Sequence, residues 1–265
     1  MAIYTILDEQ AMRDVVAHYD IGRLVRFSGF TEGIENSNYL VVTVRNREKT
    51  DKEYVLTIAE AQPHKGVTFV ARLLALLYSQ GIPVPRPILS RDGHELIKVQ
   101  DKPAVLMTKI EGTHPLQPNP QQCETIANAL GRMHNATMVS ALQHTSHRSL
   151  EWAVGLAPAI QGNLDSDDTE LLKEGLLAAQ RLQSTTGLPS AIIHGDLFRD
   201  NTLFLGNRLT GIIDFFSAGT GYPLFDLAVL VNDWGTNGST RLVAGNERAL
   251  LAGYVSARKP TDIEK

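Results

Sequence analysis

The chain has 265 residues, 43% hydrophobic and 20% charged, with a formal net charge of −4. That length can bury the core of one or two domains, and the mild charge with no basic run argues against a nucleic-acid partner. Arg72 interrupts the longest apolar stretch, so none reaches the length that spans a membrane.

In chain order, the first helix is expected from Asp8 to Tyr19. Met12, Val15, Val16 and Tyr19 recur at helical spacing and Gly22 follows as a stop. Asp8 and Glu9 come early without a positive n-region, so no signal peptide is expected. Valine-rich alternation then predicts strands over Leu24–Gly29, Asn38–Val44 and Tyr54–Ile58. A second helix spans Val67–Gln80, with Val70, Leu73, Leu74 and Leu77 on one face and Gly81 after it. Pro83, Pro85 and Pro87 enforce extended chain, and two further strands follow at Glu95–Val99 and Ala104–Thr108. Five strands and a helix suit an N-lobe over residues 1–106. Residues 107–112 read as a hinge, where an apolar strand gives way to Glu111-Gly112. Helices are expected at Gln121–Thr137, Leu150–Ala159, Asp167–Ser184, Asp226–Trp234 and Asn246–Ala257, within a C-lobe over 113–265. The single Cys123 falls in one of them. It reads as a small buried side chain and fits a reducing cytoplasmic setting better than a disulfide framework.

The helices are interrupted by His194-Gly195-Asp196-Leu197-Phe198-Arg199-Asp200-Asn201 and then Ile212-Ile213-Asp214-Phe215. Phosphoryl transfer needs one carboxylate to orient the attacking hydroxyl. It also needs an amide oxygen and a second carboxylate to hold magnesium on the triphosphate. Asp196 and Asn201 have the D-x-x-x-x-N spacing for this, and Asp214 lies thirteen residues beyond Asn201. Thr202–Leu205 and Leu209–Ile213 are two short apolar runs joined through Gly206-Asn207, which predicts a hairpin. A hairpin brings Asn201 beside Asp214. The plainer reading is an ordinary hairpin flanked by surface Asp and Asn.

His194-Gly195-Asp196 with Asn201, Ile213-Asp214-Phe215 and Asp226-Leu227-Ala228 resembles the aminoglycoside phosphotransferase and choline kinase superfamily. These are small-molecule kinases with a protein-kinase-like fold. Within it, the closest resemblance is to kinase-fold homoserine kinases. It rests on Gly33-Ile34-Glu35-Asn36-Ser37-Asn38-Tyr39, on Phe198 with Asp200-Asn201, and on Phe225-Asp226-Leu227-Ala228 through Asn232 and Trp234. The likeness covers nearly the whole chain.

The resemblance implies an α+β, bilobal protein-kinase-like fold, with an antiparallel five-stranded N-lobe and a mainly helical C-lobe carrying the hairpin. It implies ATP and Mg2+ as cofactors, with the nucleotide between the lobes. The turn carrying Gly29 and Gly33 would approach the phosphates, although two glycines in a hairpin are often only a turn. The backbone from Thr108 to Ile110 would meet the adenine edge. Asp196 would be catalytic, and Asn201 and Asp214 would bind the metal. Asp226 would brace the catalytic loop. His194 would either fix the loop through its ring or act in metal ligation or base catalysis. Asn232 and Trp234 would face the acceptor or fill core and surface positions. The acceptor would be an amino alcohol or amino acid, with homoserine giving O-phosphohomoserine on the way to threonine.

Two departures from the pattern stand out. Thr57 occupies the position of the third-strand lysine of protein kinases, and the following helix contains no Glu, so both halves of that ion pair are absent together. Homoserine kinases also lack this lysine. Lys65, Arg72 and Arg199 are candidate replacements. Relatives continue beyond the position of Lys265 through further helices, so part of the acceptor pocket is expected to lie outside this chain. A kinase of another small alcohol (choline, methylthioribose or an aminoglycoside) and a non-catalytic nucleotide-binding module stay open at this point.

Overall fold

The computed structural model describes residues 3–31, 35–45, 50–236 and 241–265. In chain order the elements are α1 (Glu9–Ala17), β1 (Arg23–Gly29), β2 (Asn36–Val44), β3 (Lys52–Ala59), α2 (His64–Ser79), β4 (Ile97–Val99) and β5 (Lys102–Thr108). They continue with α3 (Pro120–Met138), α4 (Leu150–Ile160), α5 (Ser166–Ser184), β6 (Ala191–Ile193), β7 (Thr202–Leu205) and β8 (Arg208–Ile212). Last come β9 (Gly219–Gly221), α6 (Pro223–Trp234) and α7 (Ala244–Ala257). The fold is α+β. The chain divides into two compact units, Met1–Leu116 with Asp200–Phe216, and Gln117–Arg199 with Ser217–Lys265.

In the first unit β1 to β5 form an antiparallel five-stranded sheet in the order β1-β2-β3-β5-β4. Asp8 caps α1 by accepting the Ala11 N–H at 2.8 Å. Met12, Val15, Val16 and Tyr19 then form a buried cluster with Tyr54, Leu56, Ile58, Ala104 and Leu106. Alternation along β3 therefore turns Thr57 to the opposite face. Val70, Leu73, Leu74 and Leu77 of α2 are all buried, as their helical spacing predicts.

The hairpin β7–β8 gathers with this first unit rather than with the C-lobe expected from the sequence. The reason is a set of backbone bonds that linear spacing does not show. Thr113 and Phe204 exchange N–H···O=C bonds at 3.0 and 2.9 Å, and Ile212 N–H donates to Pro83 C=O at 2.8 Å. Gly112 lies in the left-handed region at φ +143°, and a Cβ there would meet Thr210 Oγ1 at 2.7 Å and Phe204 N at 2.9 Å. Only glycine lets the two segments approach this closely.

In the second unit α3 packs along α7. A Cβ on Gly253 would stand 2.3 Å from Glu124 O, so the helices meet backbone to backbone there. The strands β6 and β9 pair antiparallel and were not foreseen. Three residues each, one of them Gly-Thr-Gly, give no periodic signal. α6 starts at Pro223, three residues before the expected Asp226. Proline suits a first turn because the N–H it lacks has no helical partner there. Asp226 thus sits inside the first turn.

Ser37 is fully buried. Its Oγ accepts the N–H groups of Tyr4 and Thr5 at 2.8 and 3.0 Å and donates to Glu60. Glu60 also takes Lys102 Nζ and the Thr5 hydroxyl. Tyr39 Oη donates to Thr5 C=O at 2.7 Å. The Asn36–Tyr39 segment thus pins the N-terminal stretch to the sheet. Burial alone would raise the Glu60 pKa, but hydrogen bonds from Lys102, Ser37 and Thr5 outweigh it and the net direction is down. A carboxylate with a depressed folded pKa stabilises above its unfolded value and loses that contribution as pH falls through the folded value. Glu60→Gln is therefore expected to cost about 1–2 kcal/mol at neutral pH. Urea unfolding of both proteins should show this gap narrowing once pH drops below the ordinary value of 4.5; a gap that stays constant with pH would contradict the assignment.

Candidate active site

The hairpin closes as its turn chemistry requires. Gly206 takes φ +61° in the turn, and Thr202 pairs with Ile212 at the open end. One step further, Ile213 N–H donates to Asn201 C=O at 2.9 Å. Asn201 and Asp214 therefore flank the same end of one ladder. Asp214 is exposed and has φ +61°, one of three non-glycine residues with positive φ among those described. Buried Phe215 and Phe216 follow it and fix the backbone behind it. A non-glycine residue in the left-handed region costs on the order of 1 kcal/mol and persists only where its surroundings impose it. What this end of the hairpin offers is an amide oxygen and a carboxylate. These hard oxygen donors suit Mg2+, which binds through one or two carboxylates together with substrate phosphates. Among the described residues no cluster of three or more His, Cys, Asp or Glu side chains could hold a metal alone.

The second unit carries the loop from His194 to Arg199. Gly195 has φ +78°, and a Cβ there would stand 2.9 Å from Ser217 O, so the turn requires glycine. Asp226, fully buried, accepts His194 N–H at 2.7 Å and Gly195 N–H at 2.8 Å. His194 Nδ1 in turn accepts the Asp196 N–H at 3.3 Å. At the other end of the loop Arg199 is gripped by Asp233 of α6.

Behind Asp226 runs a buried polar chain that the sequence did not announce. His134 Nε2 lies 3.0 Å from Asp226 Oδ2, and its Nδ1 lies 2.9 Å from Tyr254 Oη. Arg258 Nη1 donates to that hydroxyl at 3.2 Å and Nη2 donates to Glu264 at 2.8 and 2.9 Å. A single assignment of hydrogens satisfies every group: Arg258 donates to Tyr254, Tyr254 to His134 Nδ1, and His134 Nε2–H to Asp226. Chains of this kind polarise one another in a low dielectric. Burial alone would raise the Asp226 pKa, but the bonds from His134 and Gly195 outweigh it and hold it below the ordinary carboxylate value.

The other expected site residues are distributed as follows. Gly29 ends β1, and a Cβ there would require the Ile3 side chain to move, since it would meet Ile3 Cδ1 at 1.9 Å. The neighbouring Phe30 N–H is taken by Asn38 C=O at 2.9 Å. Gly33 lies outside the described residues. Thr57 is buried and its hydroxyl donates to Asn38 Oδ1 at 2.6 Å. Thr108 N–H donates to Arg86 C=O and Lys109 N–H to Glu53 C=O, at 3.0 and 3.2 Å. The Thr108 N–H is therefore already bonded, and Ile110 makes no hydrogen bond among the described residues. Asn232 is exposed on α6. Trp234 is a correction: the last turn of α6 buries it completely, so it fills the core instead of facing an acceptor. Of the candidate cations, Arg72 pairs with Glu95 at 3.0 Å and Arg199 with Asp233 at 2.9 Å, while Lys65 is exposed in the first turn of α2. His134, Tyr254 and Asp233 were missed. Each is an ordinary helical residue in sequence, and its partner lies far along the chain.

Tyr254→Phe removes one hydroxyl and strands two buried groups, Arg258 Nη1 and His134 Nδ1. The expected cost is about 1–3 kcal/mol, read as a lower thermal midpoint by calorimetry. An unchanged midpoint would mean that the chain of bonds adds nothing to stability.

The model of the phosphotransferase enzyme family matches residues 26–259. The homoserine kinase of Pseudomonas aeruginosa (strain UCBPP-PA14) is 37% identical over 265 residues, covering all of this chain and 82% of that protein. The homoserine kinase of Methylobacillus flagellatus is 34% identical over 264 residues, covering 81% of it. Among solved structures, amicoumacin kinase hAmiN in complex with AMP-PNP, Ca2+ and Ami superposes with a TM-score of 0.74 at 18% identity. That match covers 97% of this chain and 80% of the kinase. Spectinomycin phosphotransferase APH(9)-Ia gives 0.66 at 15% identity, over 94% and 80%. These two show the fold. This chain belongs to the phosphotransferase enzyme family of small-molecule kinases, and homoserine kinases are among the relatives it matches along its whole length.

Proposed function

We propose that this protein transfers the γ-phosphoryl group of ATP to the side-chain hydroxyl of L-homoserine, giving O-phosphohomoserine and ADP, a step toward threonine. The observation that carries the reading is identity of 34–37% to homoserine kinases along the whole chain. The retained Asp196, Asn201 and Asp214 support an active kinase over a passive nucleotide-binding module.

In the mechanism Asp196 accepts a hydrogen bond from the homoserine hydroxyl and aims its oxygen in line with the γ-phosphorus. The new O–P bond forms as the bond from γ-phosphorus to the β,γ-bridging oxygen breaks. ADP leaves with that electron pair, and the hydroxyl proton passes to Asp196. Asn201 and Asp214 are the residues that would hold Mg2+, which would offset the charge that develops on the phosphates. The left-handed backbone of Asp214 supports its role, because strain of this kind collects where side-chain direction matters. Asp226 and His194 hold the loop in shape. The Ile110 backbone is assigned to the adenine edge, and exposed Asn232 to the acceptor. The loose transition state asks little of a base, so positioning carries most of the rate.

Asp196→Ala is expected to lower turnover by at least two orders of magnitude while leaving Mg-ATP binding nearly unchanged. Asp214→Asn is expected to weaken ATP binding far more with magnesium than without it. Calorimetric titration of both variants beside steady-state kinetics separates the two roles. Near-normal turnover in the first variant, or equal loss with and without magnesium in the second, would refute the corresponding assignment.

L-Homoserine should be the best acceptor, ahead of L-serine and choline. Serine lacks one methylene, so its hydroxyl falls short of Asp196 when its charged groups are anchored. The expected penalty is about tenfold or more in kcat/KM, roughly 1.4 kcal/mol. An ADP-release assay with homoserine, serine, choline, methylthioribose and kanamycin tests the order. Efficient turnover of another alcohol with none of homoserine would sink the substrate and leave the kinase chemistry standing.

A further inference from the structure

Asp226 and Asp233 lie seven positions apart on α6, one in its first turn and one in its last. Two turns of helix separate them, so their side chains leave the same face. Both reach the same loop. Asp226 takes the N–H groups of His194 and Gly195 at 2.7 and 2.8 Å. Asp233 takes the Arg199 N–H at 2.8 Å, and its carboxylate also receives Arg199 Nε at 3.1 Å from each oxygen and Nη2 at 2.9 Å. One rigid helix therefore grips both ends of a six-residue stretch with Asp196 inside it.

Between the grips the loop is tied to itself. Phe198 N–H donates to Asp196 C=O at 2.9 Å, Asp196 N–H reaches His194 Nδ1, and Leu197 is fully buried. We infer that Asp233 is a positioning residue for Asp196: it acts through Arg199, closing the C-terminal end of the loop as Asp226 closes the N-terminal end. The inference rests on the catalytic assignment of Asp196 above.

The chemistry of the pair favours a clamp over a ligand-binding cation. The Arg199 and Asp233 side chains are 25% and 15% exposed, so the pair is partly desolvated and its charges count for more than on an open surface. The Arg199 guanidinium is compensated by a carboxylate held by three N–H···O contacts. That charge is spent within the protein, which removes Arg199 from the candidates for a phosphate clamp. Asp233 also accepts a backbone amide, so its loss would free the path of the main chain as well as a side chain.

The test is kinetic. Asp233→Asn keeps one oxygen for the Arg199 amide and removes the charge. Asp233→Glu restores the charge on a longer arm, and Arg199→Ala with the double variant completes a cycle. Turnover of ATP with L-homoserine, both KM values and the thermal midpoint are measured for each. The expected result for Asp233→Asn is a loss on the order of tenfold in kcat, both KM values within about threefold and a midpoint within a few degrees of the parent. Asp233→Glu should recover part of kcat, and the double variant should be no slower than the slower single one. A kcat within twofold of the parent overturns the inference. So does a raised KM for homoserine at unchanged kcat, which would make the pair an acceptor anchor. Loss of folded protein in Asp233→Asn, or a fall in kcat that Asp233→Glu does not relieve, overturns it in favour of a structural pair. Asp196→Ala run alongside separates the levels: full turnover there defeats the catalytic assignment itself, while an inactive Asp196→Ala beside a fully active Asp233→Asn defeats this inference alone.

Discussion

A buried carboxylate is the constraint on which the loop from His194 to Arg199 depends. Asp226 has no exposed surface and still accepts two successive backbone amides, from His194 and Gly195. Two adjacent N–H groups can aim at one carboxylate only if the backbone turns sharply between them. The left-handed Gly195 provides that turn. An isolated charge at this depth would be prohibitively costly, which is why His134 stands behind it and Tyr254 and Arg258 behind His134. Removing any one member leaves a buried group without its partner. The loop geometry therefore inherits the rigidity of α3, α6 and α7 instead of relying on its own short sequence.

The hairpin obeys a different logic. Its direction comes from the Gly206 turn, and its register from the pairing of Thr202 with Ile212. Strand register moves side chains to the opposite face with each one-residue slip. Pairing fixes the register, so it also fixes where the chain leaves the ladder at Asn201 and Asp214. The strained backbone of Asp214 is held on one side by β8 and on the other by buried Phe215. Stability is thus given up locally at Asp214.

The absence of the third-strand lysine gains a physical context in the first unit. Thr57 is turned away from the α1 cluster and bonded to Asn38. Beside that sheet Lys102 pairs with Glu60, together with Ser37 and Thr5. This network ties the N-terminal stretch to β2, β3 and β5. The segment from Asn36 to Tyr39, which marks the likeness to homoserine kinases, works in this architecture through burial and hydrogen bonding.

Much of the fold was legible because periodicity is a local property. The spacing of Met12, Val15, Val16 and Tyr19, and of Val70, Leu73, Leu74 and Leu77, specifies one buried face per helix, and the structure buries both faces. Gly206-Asn207 between two apolar runs specifies a hairpin, and the D-x-x-x-x-N spacing specifies a family chemistry. What the sequence could not decide was which distant groups would meet. His134 finds Tyr254 across 120 positions and Asp226 across 92, because α3 packs on α7 and α6 at those turns. For Trp234, on the last turn of α6, the sequence left acceptor-facing and core positions open, and only the packing around that turn shows it to be core. The strands β6 and β9 were too short to carry a period, and the hairpin joined the first unit through backbone bonds to Pro83 and Thr113. Local patterns are written in neighbouring residues, whereas burial and partnership depend on the path of the whole chain. The sequence by itself therefore determined the longer elements and, through a family likeness, the chemical class, and the tertiary structure decided which polar groups hold the loop from His194 to Arg199 in place.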